Sequence, residues 1–444
     1  MRIEKLHLKN FCSFQDLEIF FPQSNVAVFI GNNGAGKTSI LKAIVLLLSW
    51  LVNRIEREKG NGSPINELDI LNGANFTQIE ILINDKNKIY KWSLAKTTKG
   101  NKKKFDSSLI EATKLAESYK LTETNNISLP LMIYYSVERA VLDVPLKLKT
   151  SHNFGQLDGY DNALSQGVDF RRFFEWFRNR EDIENEYNAE KQIDLLEVIN
   201  ELTQESANEA KLVEKLKTIK NKKIFDKQLN TVRQAIYAFM SDFSNLRVQR
   251  KPRLRMLVDK KGNNKPLDIV QLSQGEKSLL ALIGDIARRL AIMNPELENP
   301  LIGEGIVLID EVDMHLHPKW QRDVLPALQK TFPNIQFIVT THSPQVLSRV
   351  DKDDIFILKD NKIYQPSSNP IGRNSTDILE ELMEVSKRPT DIEELSNKYF
   401  GFINQNLLDE AQKLREELSK ILDKDDPLFA RADAILMRKK LLGR

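Results

Sequence analysis

Gly31-Asn-Asn-Gly-Ala-Gly-Lys-Thr38 has the spacing G-x-x-x-x-G-K-[ST]. Glycines at those positions let backbone amides converge on phosphate oxygens, and a helix starting just beyond them turns its positive end toward the same anion. In such a loop Lys37 reaches the β- and γ-phosphates, and the Thr38 hydroxyl ligates Mg²⁺. The alternative is a glycine-rich turn that holds no nucleotide. The flanks decide between them: Asn25–Ile30 is a short apolar run fit for a buried strand, and Thr38–Leu51 reads as an apolar helix. Gly31, Asn32, Asn33, Gly34, Ala35, Gly36, Lys37, Thr38 and Ser39 are therefore the expected nucleotide-binding residues.

Three further segments carry reactive groups. Ile306-Val-Leu-Ile309 ends in Asp310-Glu311, the pattern of a buried strand delivering carboxylates at its C-terminal edge. Asp310 is the expected partner of Mg²⁺ with Thr38, and Glu311 the group that polarises an attacking water. Leu272-Ser-Gln-Gly-Glu-Lys-Ser278 opens a helix, where Ser273 serves either as a plain N-cap or as a donor to a ligand. His342, in Thr340-Thr-His-Ser-Pro344, follows another apolar strand. His315 and His317, with Asp310, Glu311 and Asp313, admit a second reading as a metal cluster.

The elements that must hold these groups can be traced by periodicity. Residues 1–30 alternate as strands; Gln78–Leu94 reads as a hairpin turning at Asp85-Lys-Asn-Lys88; Leu129–Tyr135, Gly305–Ile309 and Ile335–Thr340 read as strands. Leu254–Val258 and Leu267–Leu272 flank a polar turn, and Glu276–Ile292 reads as a helix. Ile193, Leu196, Ile199, Leu202, Leu212, Leu216 and Ile219 give a charged helical insertion. The tail is helical from Thr376, with apolar stripes through Leu407–Leu422 and Phe429–Leu441. The expected divisions are 1–165 and 246–365 as two halves of one head, 166–245 as the insertion, and 366–444 as a partner-docking tail.

Composition narrows the class. Hydrophobic residues are 41% and charged residues 29%, which supports a core and argues against disorder. Sixty-five Lys+Arg against 62 Asp+Glu leave +3, so bulk charge does not coat nucleic acid. Lys215–Lys223 and Arg247–Arg255 remain local candidates for phosphate contact, against the alternative of a solvated charged face. Cys12 is the sole cysteine, which excludes a disulfide framework. Ala43–Val52, the longest apolar stretch, is about half a membrane span. A cytoplasmic protein without membrane contact is expected.

The order P-loop, Ser273 motif, Asp310-Glu311 and His342 resembles the ABC-type ATPases. Leu8-Lys-Asn-Phe-Cys-Ser-Phe14 is similar to the opening of the SMC/RecF-like, non-transporter branch, with Cys12 where that branch commonly has a basic residue. The resemblance implies an α/β ATPase head, with a mixed sheet, flanking helices and an antiparallel β subdomain. It implies ATP and Mg²⁺, with Ser273, Gln274, Gly275 and Glu276 meeting the nucleotide of a second copy in a head-to-tail dimer or higher oligomer. Glu311 and His342 are then catalytic. Tyr134–Arg139 lies near the place of the family's Q-loop but has no glutamine.

An insertion of about 80 residues gives arms of at most ~50–60 Å, far short of chromosome-tethering proteins. No second nuclease domain is evident. Within the family the chain looks like the compact ATPases of Septu anti-phage systems, including retron-attached forms, on the strength of Gly372-Arg-Asn-Ser-Thr-Asp-Ile-Leu379 and the closing Leu428–Arg444 segment. That implies a separate small HNH nuclease as partner and, in retrons, a reverse transcriptase with its DNA. The competing expectations are a DNA-repair ATPase that clamps DNA directly and a nucleotide-holding scaffold with little turnover.

Overall fold

The computed structural model describes residues 1–101, 105–120, 127–137, 154–165, 170–202, 225–383, 388–423 and 425–441. Lys102–Lys104, Glu138 and Arg139, the stripe Leu212–Ile219 and the basic run Lys215–Lys223 lie outside them. The chain forms two compact units, Met1–Ile371 and Gly372–Arg444.

The first unit begins β1 (Arg2–Phe11), β2 (Phe14–Phe20), β3 (Val26–Gly31), α1 (Lys37–Glu56), β4 (Phe76–Asp85), β5 (Lys88–Thr97), α2 (Ile110–Glu117) and β6 (Leu131–Tyr135). It continues α3 (Phe170–Leu202), α4 (Lys227–Phe239), β7 (Phe243–Gln249), β8 (Arg255–Lys260), β9 (Leu267–Asp268) and α5 (Gln274–Met293). It ends β10 (Gly305–Ile309), α6 (Pro318–Thr331), β11 (Ile335–Thr340), α7 (Pro344–Leu347), β12 (Ile355–Lys359) and β13 (Lys362–Tyr364).

Among the described residues the strands form three sheets. The largest has the order β13-β12-β3-β11-β10-β6 and is parallel except for the edge strand β13. Its inner strands are apolar without alternation, because both faces are covered: β10 and β11 are buried at every position. The C-terminal ends of β3, β10, β11 and β6 therefore lie side by side. That edge is where open parallel sheets collect their reactive groups.

A four-stranded antiparallel sheet, β2-β1-β4-β5, lies beside it in sequence, and its strand β4 alternates cleanly. Its β4–β5 turn is Lys86-Asn87, both with positive φ (48° and 63°), the conformation a two-residue hairpin demands. Helix α1 is long and apolar enough to cross a membrane, yet Ile40, Leu41, Ile44, Leu47, Leu48 and Leu51 are all fully buried inside the fold. The Trp92 indole of β5 donates to Leu47 O at 3.1 Å, fixing the helix under this sheet. At the other end, Gln336 of β11 accepts from Ile3 N at 2.7 Å and donates to Ile3 O at 3.0 Å. This buried amide joins the two sheets.

The third sheet, β7-β8-β9, holds a strand that sequence periodicity did not single out, β7. The expected strand Leu267–Leu272 is only two residues long and turns into a helical turn at Ile269–Gln271. Asp268 explains the break: its carboxylate accepts from Val270 N at 3.2 Å, a local cap that competes with the ladder. Helix α4 lies within the segment expected as insertion. Arg233 of α4 donates to Glu181 and Glu184 of α3 at 2.9–3.1 Å, and Glu181 also accepts from Val248 N of β7. The base of the helical segment is thus locked to the third sheet by paired, largely buried charges.

The second unit contains α8 (Ser375–Met383), α9 (Thr390–Asn404), α10 (Leu408–Leu418) and α11 (Pro427–Leu441). Tyr399, Ile403, Ala411, Leu418, Leu428, Phe429 and Ala432 form its core, with Leu414, Leu422, Ile435 and Leu436 packed against it. Both tail stripes thus turn toward each other. Lys439 Nζ donates at 2.8 Å to Ile403 O and Asn404 O, satisfying the carbonyls that end α9. Phe429→Ala should remove core contacts and stack support for Arg415, costing about 3–5 kcal/mol. Hydrogen exchange in Leu408–Leu418 should rise accordingly; unchanged protection there would contradict this packing.

Candidate active site

The loop after β3 is shaped by two different demands. Gly34 (φ 82°) and Gly36 (φ 97°) adopt left-handed backbone. At Gly36 there is crowding as well: a Cβ would come within 2.4 Å of the Phe14 ring. At Gly31 a Cβ would meet Leu358 O at 2.5 Å. No side chain caps the start of α1 and its first turn carries no acidic residue, so its leading amides face the loop's hollow. Lys37, 7% exposed, donates from Nζ to Gly31 O at 2.7 Å and Asn32 O at 3.1 Å. Burial pulls its pKa down, opposed by Asp310, Glu311 and Asp313. Its hydrogen bonds go to neutral carbonyls, and phosphate oxygens would satisfy it better.

Across the sheet edge, Asp310 is 2% exposed and both carboxylate oxygens accept hydrogen bonds: Oδ2 from Thr38 Oγ1 at 2.9 Å, Oδ1 from Thr340 Oγ1 at 2.5 Å. Its amide donates to Tyr135 O at 2.8 Å. Thr340 Oγ1 also accepts from Glu311 N at 2.8 Å, and Glu311 has φ 48°. One hydroxyl thereby fixes the carboxylate before the turn and the backbone after it. Thr340 is a positioning residue that sequence reading quoted only as a neighbour of His342. Its signal was a hydroxyl ending an apolar strand parallel to the one bearing Asp310. Thr38 Oγ1 and Asp310 are hard oxygen donors in contact, and Mg²⁺ takes one or two such protein ligands plus phosphate and water. The pair fits the ion.

The turn after β11 is tied to the segment after β10. Thr341 donates to the Asp313 carboxylate, Ser343 Oγ donates to Gln321 Oε1 at 2.8 Å, and Gln321 Nε2 donates to Leu316 O at 3.0 Å. His342, partly buried, sits in the middle of this braced turn. The metal-cluster alternative for His315 and His317 fails: among the described residues no three His, Cys, Asp or Glu converge. His317 is the N-cap of α6, its Nδ1 accepting from Lys319 N at 3.3 Å, and His315 lies in a left-handed turn at φ 62°.

At the start of α5, Ser273 is an N-cap in a full capping box: Glu276 Oε2 accepts from Ser273 N at 2.9 Å and from Ser273 Oγ at 2.8 Å. Both readings of Ser273 therefore begin from a capped serine. Gly275 has its own constraint, because a Cβ there would approach His315 O to 2.7 Å and the Trp320 ring to 3.3 Å. Farther along α5, the fully buried Asp285 accepts from Arg288, Arg289 and, at 3.0 Å, Tyr135 OH at the end of β6. Burial opposes its charge, but the two guanidiniums hold its pKa below the usual range. Tyr135 is thus partly structural, and nothing in Tyr134–Arg139 supplies a glutamine.

Of the basic run Arg247–Arg255, Arg247 pairs with Asp259 at 3.0 Å, Arg250 with Glu181 and Asp182, and Arg255 donates to Gln249 Oε1 at 2.7 Å. The charges of Arg247 and Arg250 are thus met within the chain, while Lys251 and Arg253 are exposed.

Residues 26–348 match the family model described as "AAA domain, putative AbiEii toxin, Type IV TA system". The chain is similar to the "Retron Ec83 probable ATPase" of Escherichia coli, 36% identical across 96% of this chain and 85% of that one. It is also similar to the "Septu protein PtuA" of Bacillus mycoides (strain KBAB4), 24% identical across 95% of this chain and 50% of that one. Among solved structures, the Smc head bound to the C-winged helix domain of ScpA is 17% identical, covers 82% of this chain and 97% of its own, and has a TM-score of 0.44.

Lys37→Ala removes the charged side chain aimed into the loop and should abolish ATP–Mg²⁺ binding by calorimetry; unchanged affinity would overturn the assignment of this loop.

Proposed function

Given that the chain belongs to this AAA-domain family and is an ATPase, we propose that it is the ATP-driven regulatory subunit of an anti-phage defence complex. The observation that carries the reading is the near full-length likeness to the retron Ec83 ATPase. In this reading the amides of residues 31–39 and Lys37 hold the triphosphate of ATP, and Lys37 exchanges its two carbonyl partners for β- and γ-phosphate oxygens. Thr38 and Asp310 hold Mg²⁺, which supplies positive charge against the β,γ-phosphates. Glu311, aimed by the Thr340 hydrogen bond to its amide, polarises the attacking water. His342 contacts the γ-phosphate. Ser273, Gln274 and Gly275 act on the nucleotide of a second copy, with Glu276 holding Ser273 in place from within the helix, so that the chain dimerises head to tail around ATP.

The ATP state controls a separate small HNH nuclease, and in a retron setting the complex also holds a reverse transcriptase and its DNA. The unit Gly372–Arg444 is the proposed recruiting surface. Its core residues are occupied with one another, so recruitment falls to its exposed apolar side chains, among them Ile421, Met437 and Leu441. Removing residues 424–444 would also remove Phe429 and Ala432 from that core, so surface substitutions are the cleaner probe. Direct clamping of DNA is the weaker reading, because Arg247 and Arg250 are paired with carboxylates. The expected compartment is the cytoplasm.

Glu311→Gln should retain ATP binding, slow hydrolysis at least ~10²-fold and accumulate an ATP-bound dimer. In cells carrying the complete system it should abolish protection in a phage plating assay. Wild-type hydrolysis in this variant would move the water-orienting role elsewhere, and undiminished protection would sink the defence reading. Met437→Glu with Leu441→Glu should leave ATP hydrolysis intact and abolish co-purification of the nuclease; retained co-purification would exclude this surface.

A further inference from the structure

Lys260, the last residue of β8, lies sixteen positions before Glu276, and nothing in its sequence context marks it as functional. In the fold its Nζ stands 2.5 Å from Glu276 Oε1. The other oxygen, Oε2, accepts both the amide and the hydroxyl of Ser273. Lys260, Glu276 and Ser273 therefore form one relay. Burial opposes the charge on Glu276, but Lys260 and Ser273 more than offset it, and the carboxyl is held below its usual range. The relay opens onto a cleft of about 930 Å³ lined by Lys260, Ser273, Gly275, Glu276, His315 and Trp320.

An ionised carboxylate at this place is a problem for a helix end that must receive a γ-phosphate. Ser273 donates its proton to Glu276 and must redirect it to a phosphate oxygen. The Glu276 charge would meanwhile repel the incoming triphosphate, and like charges brought together in a closing interface are costly. A lysine on the far oxygen answers both needs. It cancels the charge, and it draws electron density away from Oε2, loosening the hold on the Ser273 hydroxyl.

We propose that Lys260 is a positioning residue for the composite ATP site: by pairing with Glu276 it lets the Ser273 hydroxyl donate to the γ-phosphate presented by a second copy of this chain. The proposal rests on the reading of Ser273 and Gly275 as donors to a partner's nucleotide.

Dimerisation of the full chain is measured by analytical ultracentrifugation with a non-hydrolysable ATP analogue and Mg²⁺, and nucleotide affinity within one chain by calorimetry. Lys260→Met should weaken nucleotide-dependent dimerisation about tenfold or more while affinity within one chain changes less than about twofold. Lys260→Arg should restore dimerisation. So should Lys260→Met combined with Glu276→Gln, since glutamine keeps an oxygen for the Ser273 amide without the charge.

Undiminished dimerisation of Lys260→Met would overturn the proposal. A double variant no better than the single one, or loss of nucleotide affinity in Lys260→Met, would reduce Lys260 to a structural role and overturn it equally. If the wild-type chain itself forms no nucleotide-dependent dimer, or Ser273→Arg leaves that dimer intact, the composite-site reading falls first. The two failures are thereby distinguishable.

Discussion

A carboxylate buried at the edge of a parallel sheet must be compensated, and the first unit is organised around how Asp310 meets that requirement. Left bare it would carry a desolvation cost of several kcal/mol. Thr38 from the start of α1 and Thr340 from the end of β11 each donate to one of its oxygens, and its amide is taken by Tyr135 of β6. Three elements, the farthest of them 272 positions from Asp310, are therefore registered by one side chain and its own backbone. The loop around Lys37 inherits its position from this arrangement, because Thr38 is the very next residue.

The second anchor is α5, which is buried along most of its length. Its mid-helix Asp285, clamped by Arg288 and Arg289, reaches Tyr135, whose carbonyl accepts from Asp310. The N-terminus of the same helix packs Gly275 against the backbone of His315, in the segment that leaves Glu311. A displacement of this helix cannot leave the carboxylate edge undisturbed, since it is joined to it at both places. Close-packed contacts of this kind transmit shifts rather than absorb them.

Much of this was legible in the sequence. The loop spacing, the apolar run before Asp310 and the strand before His342 predicted the edge on which they meet, because buried parallel strands leave continuous apolar signatures. The β4–β5 turn was equally plain at Lys86-Asn87. What escaped were features decided by partners far away in the chain. Nothing around Thr340 announces that its hydroxyl serves both Asp310 and Glu311. Lys260 reads as one more cation in a polar turn, and the charge of Arg250 is consumed by Glu181 of a helix 69 residues earlier. β7 was missed because its residues alternate weakly and its one charge, Arg247, finds its partner Asp259 only in three dimensions. The tail stripes were visible, but only packing reveals that they face each other.

The buried amide of Gln336 that clasps Ile3, and the pairing of β3 with β11 and β12, have a consequence for how the chain comes into being. Both flanks of β3 are filled by strands made some three hundred residues after it. At ribosomal speeds of roughly 5–20 residues per second, that leaves a nascent apolar strand without neighbours for tens of seconds. The antiparallel sheet β2-β1-β4-β5 has no such wait, since all four strands lie within the first 97 residues. During synthesis that sheet, with α1 beneath it, is the first structure able to shelter apolar surface. The glycine loop at its border exists long before Asp310 does, so in the growing polypeptide the proposed phosphate cradle precedes its carboxylate partner by 272 positions.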